Sequence, residues 1–197
     1  EKLGLAQNTL IIFTSDNGPV LFDGYEDSAI ELIGEHKPNG PFRGGKYSRF
    51  EAGTRVPTII YWPSKIKPMV SDALVSQMDI YASLAKLVNV QLADNEAIDS
   101  LEQLDVWLGK SEQGRVDLIE ESLGNSALRH NNWKFIPKTK LNKHFIKGKK
   151  IEGGYMDKHQ LYDLSVDLSE SNNLAEQHPV LVKELDGRLK DIINGRY

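Results

Sequence analysis

The chain has 197 residues, 40% of them hydrophobic and 26% charged, with a formal net charge of −4 and no cysteine. That length suits one sizeable core or a core with a small appendage, and the composition is that of an ordinary globular protein. The acidic balance argues against a nucleic-acid-binding surface as its main business, no run of about eighteen apolar residues could span a membrane, and the absence of cysteine removes disulfides, thiolate metal sites and cysteine nucleophiles.

Glu1 to Gln7 reads as the tail of a helix, with Gly4 near its end. It begins without a methionine or a targeting signal, which suggests a fragment. Leu10-Ile11-Ile12-Phe13 shows no polar alternation, the pattern of a buried parallel strand covered on both faces. Asn17-Gly18-Pro19 then turns the chain out of the sheet. Asp16 and Asn17 are thereby set at the carboxyl edge of the strand, where open α/β sheets bind their ligands. Two adjacent oxygen donors suit a hard cation such as calcium or magnesium; the same residues would also serve as a simple Asx turn.

From Pro19 to Gly45 the pattern dissolves into a loop rich in glycine, proline and charge, long enough to suggest a functional role. It ends in Arg43-Gly44-Gly45-Lys46. The glycines allow a sharp turn and a close approach to a ligand, leaving the Lys46 ammonium free to meet an anion. Glu51 and Arg55 are expected to fix the geometry of the loop through charge-assisted hydrogen bonds. Thr58 to Trp62, β-branched and aromatic between prolines, reads as a second strand. Ile80, Leu84, Leu87 and Val88 form a helical stripe expected to face the core.

A weakly helical acidic stretch from Ala93 to Gln113 marks a boundary, dividing the chain into residues 1–112, part of an α/β sheet core, and residues 113–197. In the second part short strands are expected at Val116–Glu120, Ser126–Leu128, Trp133–Ile136 and Gln160–Leu164. The turn signals between them imply an antiparallel sheet. The basic run Lys138, Lys140, Lys143, Lys147, Lys149 and Lys150 reads as a solvated loop. Leu174 to Ile193 closes the chain as an amphipathic helix, with Val180, Val182, Leu185 and Leu189 apolar and Pro179 near its first turn. The fold class is therefore α/β, with a small carboxyl-terminal subdomain of antiparallel sheet and one helix.

Taken in order, several segments resemble the carboxyl-terminal part of the type I sulfatases, the formylglycine-dependent arylsulfatase branch of the alkaline phosphatase superfamily. They are Phe13-Thr14-Ser15-Asp16-Asn17-Gly18, Gly40-Pro41-Phe42-Arg43-Gly44-Gly45-Lys46, Phe50-Glu51-Ala52-Gly53-Thr54-Arg55-Val56-Pro57, the Asp79 helix, and Leu161-Tyr162-Asp163-Leu164 with Asp167 and Asn173-Leu174. The resemblance covers nearly the whole chain. It implies that Asp16 and Asn17 are ligands of a divalent cation, usually calcium, and that Lys46 is the catalytic lysine that holds the sulfate ester and stabilises its leaving oxygen. His36 and Lys37 lie on the loop leading to Lys46 and suit a substrate subsite, whereas Arg43 reads as a loop anchor. His130, His144, His159 and His178 show no ligand-like spacing.

The departures from the family pattern are equally informative. The Cys/Ser-x-Pro-x-Arg motif that yields the formylglycine nucleophile is absent, as are the early acidic pair and the middle-region lysine and histidines. The polypeptide alone is expected to be inactive. Its partner would be a small-molecule or glycan sulfate ester, with no nucleic acid and no membrane, and an open apolar edge would favour self-association. Export to the periplasm or secretion follows from the resemblance. Two other readings stand beside this one: a non-catalytic module that holds anionic glycans, and a phosphate-ester hydrolase of the same superfamily.

Overall fold

The structure, a computed structural model of the chain, describes residues 2–22, 24–139, 145–146 and 151–195. A turn of 3-10 helix at Ala6–Asn8 stands where a helix tail was expected. The elements that follow are β1 (Ile11–Phe13), α1 (Ala29–Leu32), α2 (Glu51–Thr54), β2 (Ile59–Tyr61), α3 (Asp79–Leu87) and α4 (Leu104–Trp107). Then come β3 (Asp117–Ser122), β4 (Asn125–His130), β5 (Trp133–Ile136), β6 (Phe145–Ile146), β7 (Ile151–Glu152), β8 (Gln160–Asp163) and α5 (Pro179–Ile193). Most of the basic run, Lys140, Lys143, Lys147, Lys149 and Lys150, and also His144, lie outside the described residues; Lys138 is exposed. No helix among the described residues is long and apolar enough to cross a membrane.

The chain divides into two compact units, one formed by Glu1–Thr14 and Pro57–Val116, the other by Ser15–Val56 and Asp117–Tyr197. Residues 15–56, which the sequence reading grouped with the first portion, thus pack with the carboxyl-terminal elements.

In the first unit β1 pairs with β2 antiparallel, Ile11 opposite Tyr61 and Phe13 opposite Ile59. The expectation of a buried parallel strand is corrected here. Ile11, Phe13, Ile59 and Tyr61 share one face and stay 50, 61, 60 and 47% exposed. An unalternating apolar run therefore marks a strand without fixing the direction of its neighbour or what covers it. The expected stripe of α3 is likewise only partly covered, since Leu84 and Val88 are exposed. What α3 buries is polar: Asp79 accepts from the backbone N–H groups of Ser76 (3.0 Å) and Leu101 (2.9 Å) and from the Arg115 guanidinium. Ser83 accepts from the backbone of Gln103 at 2.9 Å.

In the second unit a four-stranded antiparallel sheet runs in the order β3-β4-β5-β8. Tight connections set its register. Leu123 and Gly124 both have positive φ between the paired residues Ser122 and Asn125, which is the twist a two-residue hairpin requires. Side chains alternate across the pleat, so Ile119, Leu128, Phe135 and Leu161, registered neighbours on successive strands, line one face. Against that face lies α5, which starts at Pro179 and contributes Leu185 and Leu189 to the core, with Leu181, Val182 and Ile192 around them. Val180, counted with the apolar stripe in the sequence, is exposed. On the opposite face Phe50, Ala127, Ile136, Tyr162 and Leu164 make a smaller core.

Candidate active site

Asp16, Asn17 and Lys46 all belong to the second unit. Their two segments meet through backbone. The Lys46 N–H donates to the Pro19 carbonyl at 2.9 Å, and the Gly18 N–H donates to the Gly53 carbonyl at 3.0 Å. Glycine is what permits this. A Cβ on Gly18 would stand 1.6 Å from the Ala52 carbonyl oxygen, and one on Gly45 2.7 Å from that of Pro19. Both distances lie inside van der Waals contact, so any side chain would force the segments apart.

The Asp16–Gly18 turn is held by its own hydrogen bonds, with the Asp16 side chain exposed and Asn17 half-exposed. Ser15 Oγ donates to the Asn17 carbonyl at 3.1 Å, and the Asn17 amide nitrogen donates to the Gly18 carbonyl at 3.0 Å. With its nitrogen so used, Asn17 offers Oδ1 as an acceptor beside the exposed Asp16 carboxylate. Two hard oxygen donors fit a calcium or magnesium ion but fall well short of the roughly six that either needs. Among the described residues no group of three or more His, Asp or Glu side chains is arranged to hold a metal. The pair is therefore at most part of a cation site.

Lys46 is half-buried, its Nζ 5.4 Å from the centre of the Tyr47 ring. Tyr47 holds φ at +77°, unusual for a bulky residue and a strain that persists only where the surroundings impose it. They do so here: Ser122 Oγ donates to the Tyr47 carbonyl, and the Ser48 N–H closes on the Gly45 carbonyl at 2.9 Å. His36 is not brought to this group by any contact among the described residues. It is exposed, in a turn where its N–H donates to the Ile33 carbonyl at 3.2 Å.

Arg43 is the loop anchor expected of it. Its guanidinium donates twice to Glu152, at 2.5 and 3.1 Å, and once to the Glu170 carbonyl at 2.7 Å, while lying over the Phe50 ring. Arg49 anchors the next turn, donating to the carbonyls of Pro137 and Gly154; burial lowers its pKa to about 10. Arg55 donates to Glu51 at 3.0 Å, as expected, and stacks on Phe42.

Below this loop lies a buried charge cluster that sequence reasoning missed. Lys134 is wholly buried on the face of the sheet opposite α5, its ammonium donating to Glu51 at 3.1 Å and to Glu120. Glu51 also accepts from Arg129 at 2.9 Å. Burial raises the Glu51 carboxyl, yet Lys134, Arg129 and Arg55 together bring it down to about 2. Glu120, which faces Lys134 without those arginines, is pushed by burial up to about 7. Burial disfavours the Lys134 ammonium, but Glu120 and Glu51 more than compensate and raise its pKa. Glu170 is fully buried, with one oxygen accepting from the Glu51 N–H at 2.7 Å and the other without a partner among the described residues. Burial lifts its carboxyl to about 8. One signal in the sequence pointed this way: Lys134 stands between Trp133 and Phe135, so strand alternation turns it from the apolar face toward the other side of the sheet.

Comparison with known proteins decides the family. The family model described as Sulfatase matches residues 1–90. An N-acetylgalactosamine-6-O-sulfatase of Bacteroides thetaiotaomicron is 47% identical over 194 residues, which cover 98% of this chain and 38% of that protein. The chain belongs to the sulfatase family. A mouse N-acetylgalactosamine-6-sulfatase is 37% identical over 109 residues, 55% of this chain and 19% of its own. A sulfatase structure solved in work on the metabolism of multiple glycosaminoglycans by Bacteroides thetaiotaomicron superposes with a TM-score of 0.92 at 46% identity, over 97% of this chain and 40% of that one. This sulfatase chain thus spans about two fifths of the length of those two Bacteroides relatives, and its α/β architecture is theirs over that span.

Proposed function

We propose that the chain is the portion of a formylglycine-dependent sulfatase that brings two cation ligands and a sulfate-binding lysine to the hydrolysis of a sulfate ester on a glycan. The observation that carries this reading is the 2.9 Å hydrogen bond from the Lys46 N–H to the Pro19 carbonyl, which fastens the lysine hinge to the turn bearing Asp16 and Asn17. Asp16 would offer its carboxylate and Asn17 its Oδ1 to a divalent cation, calcium being the one the family resemblance implies. Bound there, the cation supplies Lewis-acid polarisation of the sulfate oxygens. Residues of the enzyme beyond those described here complete its coordination and provide the formylglycine.

Lys46 holds the ester by its charge. As the sulfur–oxygen bond breaks, negative charge grows on the bridging oxygen, and an ammonium beside that oxygen gains more from the transition state than from bound substrate. The names of the relatives support 6-O-sulfated N-acetylgalactosamine as the substrate class, with exposed His36 on the loop before Lys46 as an outer contact to the glycan. Export to the periplasm or secretion goes with a substrate of that kind.

The test is made in the whole sulfatase that contains this chain. Lys46→Ala is expected to lower kcat on 6-O-sulfated N-acetylgalactosamine by about 10²-fold or more, the usual cost of removing one group that stabilises developing charge. Asp16→Asn is expected to weaken calcium binding measured by titration calorimetry. An unchanged kcat for Lys46→Ala would sink the reading.

A further inference from the structure

We infer that Glu170 is a positioning residue for Lys46, an inference that rests on the sulfate-binding role proposed for that lysine. The segment from Arg43 to Ala52 is a closed loop: the Ala52 N–H donates to the Arg43 carbonyl at 3.0 Å, and Lys46 lies between them. Glu170 grips both ends of it. Its backbone carbonyl accepts from the Arg43 guanidinium at 2.7 Å, and its carboxyl accepts from the Glu51 N–H at 2.7 Å. The residue holds φ at +50°, a conformation disfavoured for a glutamate, and is fully buried. Its second carboxyl oxygen is buried without a partner among the described residues.

The positive φ and the orphaned buried oxygen of Glu170 each cost stability, and the two hydrogen bonds at the ends of the loop are what they are retained for. What they achieve is a fixed base for a loop whose interior contains the strained Tyr47 and, one residue earlier, Lys46. A lysine side chain is long and flexible, so the accuracy with which its ammonium meets a leaving oxygen depends on the backbone that presents it. Releasing either end of the loop would loosen the backbone between Arg43 and Ala52 and redirect Lys46. The effect falls mainly on the transition state, because the charge on the bridging oxygen, which demands the most exact placement of the ammonium, grows as the sulfur–oxygen bond breaks.

A double-mutant cycle in the whole enzyme tests this. Glu170→Ala is expected to lower kcat about tenfold or more with KM changed by less than about threefold, in line with the cost of a misplacement near 1 Å. In a Lys46→Ala background the same change should cost nothing further, since there is no ammonium left to position. Glu170→Gln, which keeps an acceptor for the Glu51 N–H, should restore most of the activity. If Glu170→Ala does not fold, Glu170→Asp, which withdraws the carboxyl by one methylene, takes its place in the cycle with the same expectation. Additive losses, or a kcat unchanged by Glu170→Ala, would overturn the inference while leaving the role of Lys46 intact. An unchanged kcat for Lys46→Ala alone would instead remove the reading beneath it.

Discussion

The two faces of the four-stranded sheet are built on opposite principles. Toward α5, Ile119, Leu128, Phe135 and Leu161 form an uninterrupted apolar row, and the helix adds Leu185 and Leu189. On the other side Lys134 and Arg129 are cross-strand neighbours and meet Glu51, with Glu120 against Lys134. The first face stabilises by removing hydrocarbon from water and tolerates any filling of similar volume. The second must desolvate charges, which offsets most of what their attraction contributes, so its worth lies in specifying which loop docks there. That loop is the one containing Lys46. The sheet thus turns a wholly apolar face toward α5 and a mixed face, buried charge beside the smaller Phe50 core, toward the loop.

Removing one charge should break this contrast most sharply. Lys134→Met leaves Glu51 and Glu120 buried without their shared cation, and an expected loss of about 3–5 kcal/mol, measured by urea unfolding, follows from that orphaning. Replacing Lys134, Glu51 and Glu120 together with apolar residues of similar volume should recover much of the loss while the segment around Lys46 loses its seat. On the apolar face Leu128→Ala is expected to cost about 2–4 kcal/mol through a cavity, without altering the pH dependence of stability.

That pH dependence belongs to the charged face and has two signs. Glu170 has its carboxyl raised from 4.5 to about 8, so its contribution is complete below about 4.5 and lost as pH rises through about 8. Glu120, raised to about 7, acts in the same sense. Glu51, held near 2, contributes above about 4.5 and loses that contribution as pH falls through about 2. Glu170→Gln should therefore flatten the decline in unfolding free energy between pH 5 and pH 9, and an unaltered slope would show that Glu170 ionises as it does in water. The smallest effect is expected at the surface. Lys190→Ala, which removes an exposed pair with Asp186 one helical turn away, should cost no more than about 0.5 kcal/mol.

The same contrast explains what could be read from the sequence. The apolar face was legible because its signals are local: the short strand-like runs Trp133–Ile136 and Gln160–Leu164, the turn signal at Gly124-Asn125, and the spacing of Leu185 and Leu189. The charged face was not, because Lys134 and Glu51 are 83 residues apart and Glu51 and Glu170 119 apart. Lys134 announces only that a partner exists. In the other unit, the run Leu10–Phe13 gave a strand correctly but suggested the wrong neighbour, since pairing direction is a property of two segments. Asp16, Asn17 and Lys46 came from the order of motifs in a family, and what the structure adds is the pair of glycine crossings that hold their backbones together. The exposed Ile11, Phe13, Ile59 and Tyr61 also sharpen an expectation made from sequence. The chain by itself should self-associate in sedimentation velocity, and Phe13→Lys with Ile59→Lys should shift it toward monomer.

The bond between Lys46 and Pro19 has one more consequence. It closes the base of the loop that leads from Pro19 to Lys46, so that changes in the outer part of that loop, short of Phe42 and the anchored Arg43, need not reach the residues at the neck. Insertions or exchanges there would add little closure entropy. A lineage could then re-tailor that outer part, residue by residue, without disturbing the ammonium and the oxygens at the neck. Diversity of taste and constancy of chemistry would meet at a single peptide hydrogen bond.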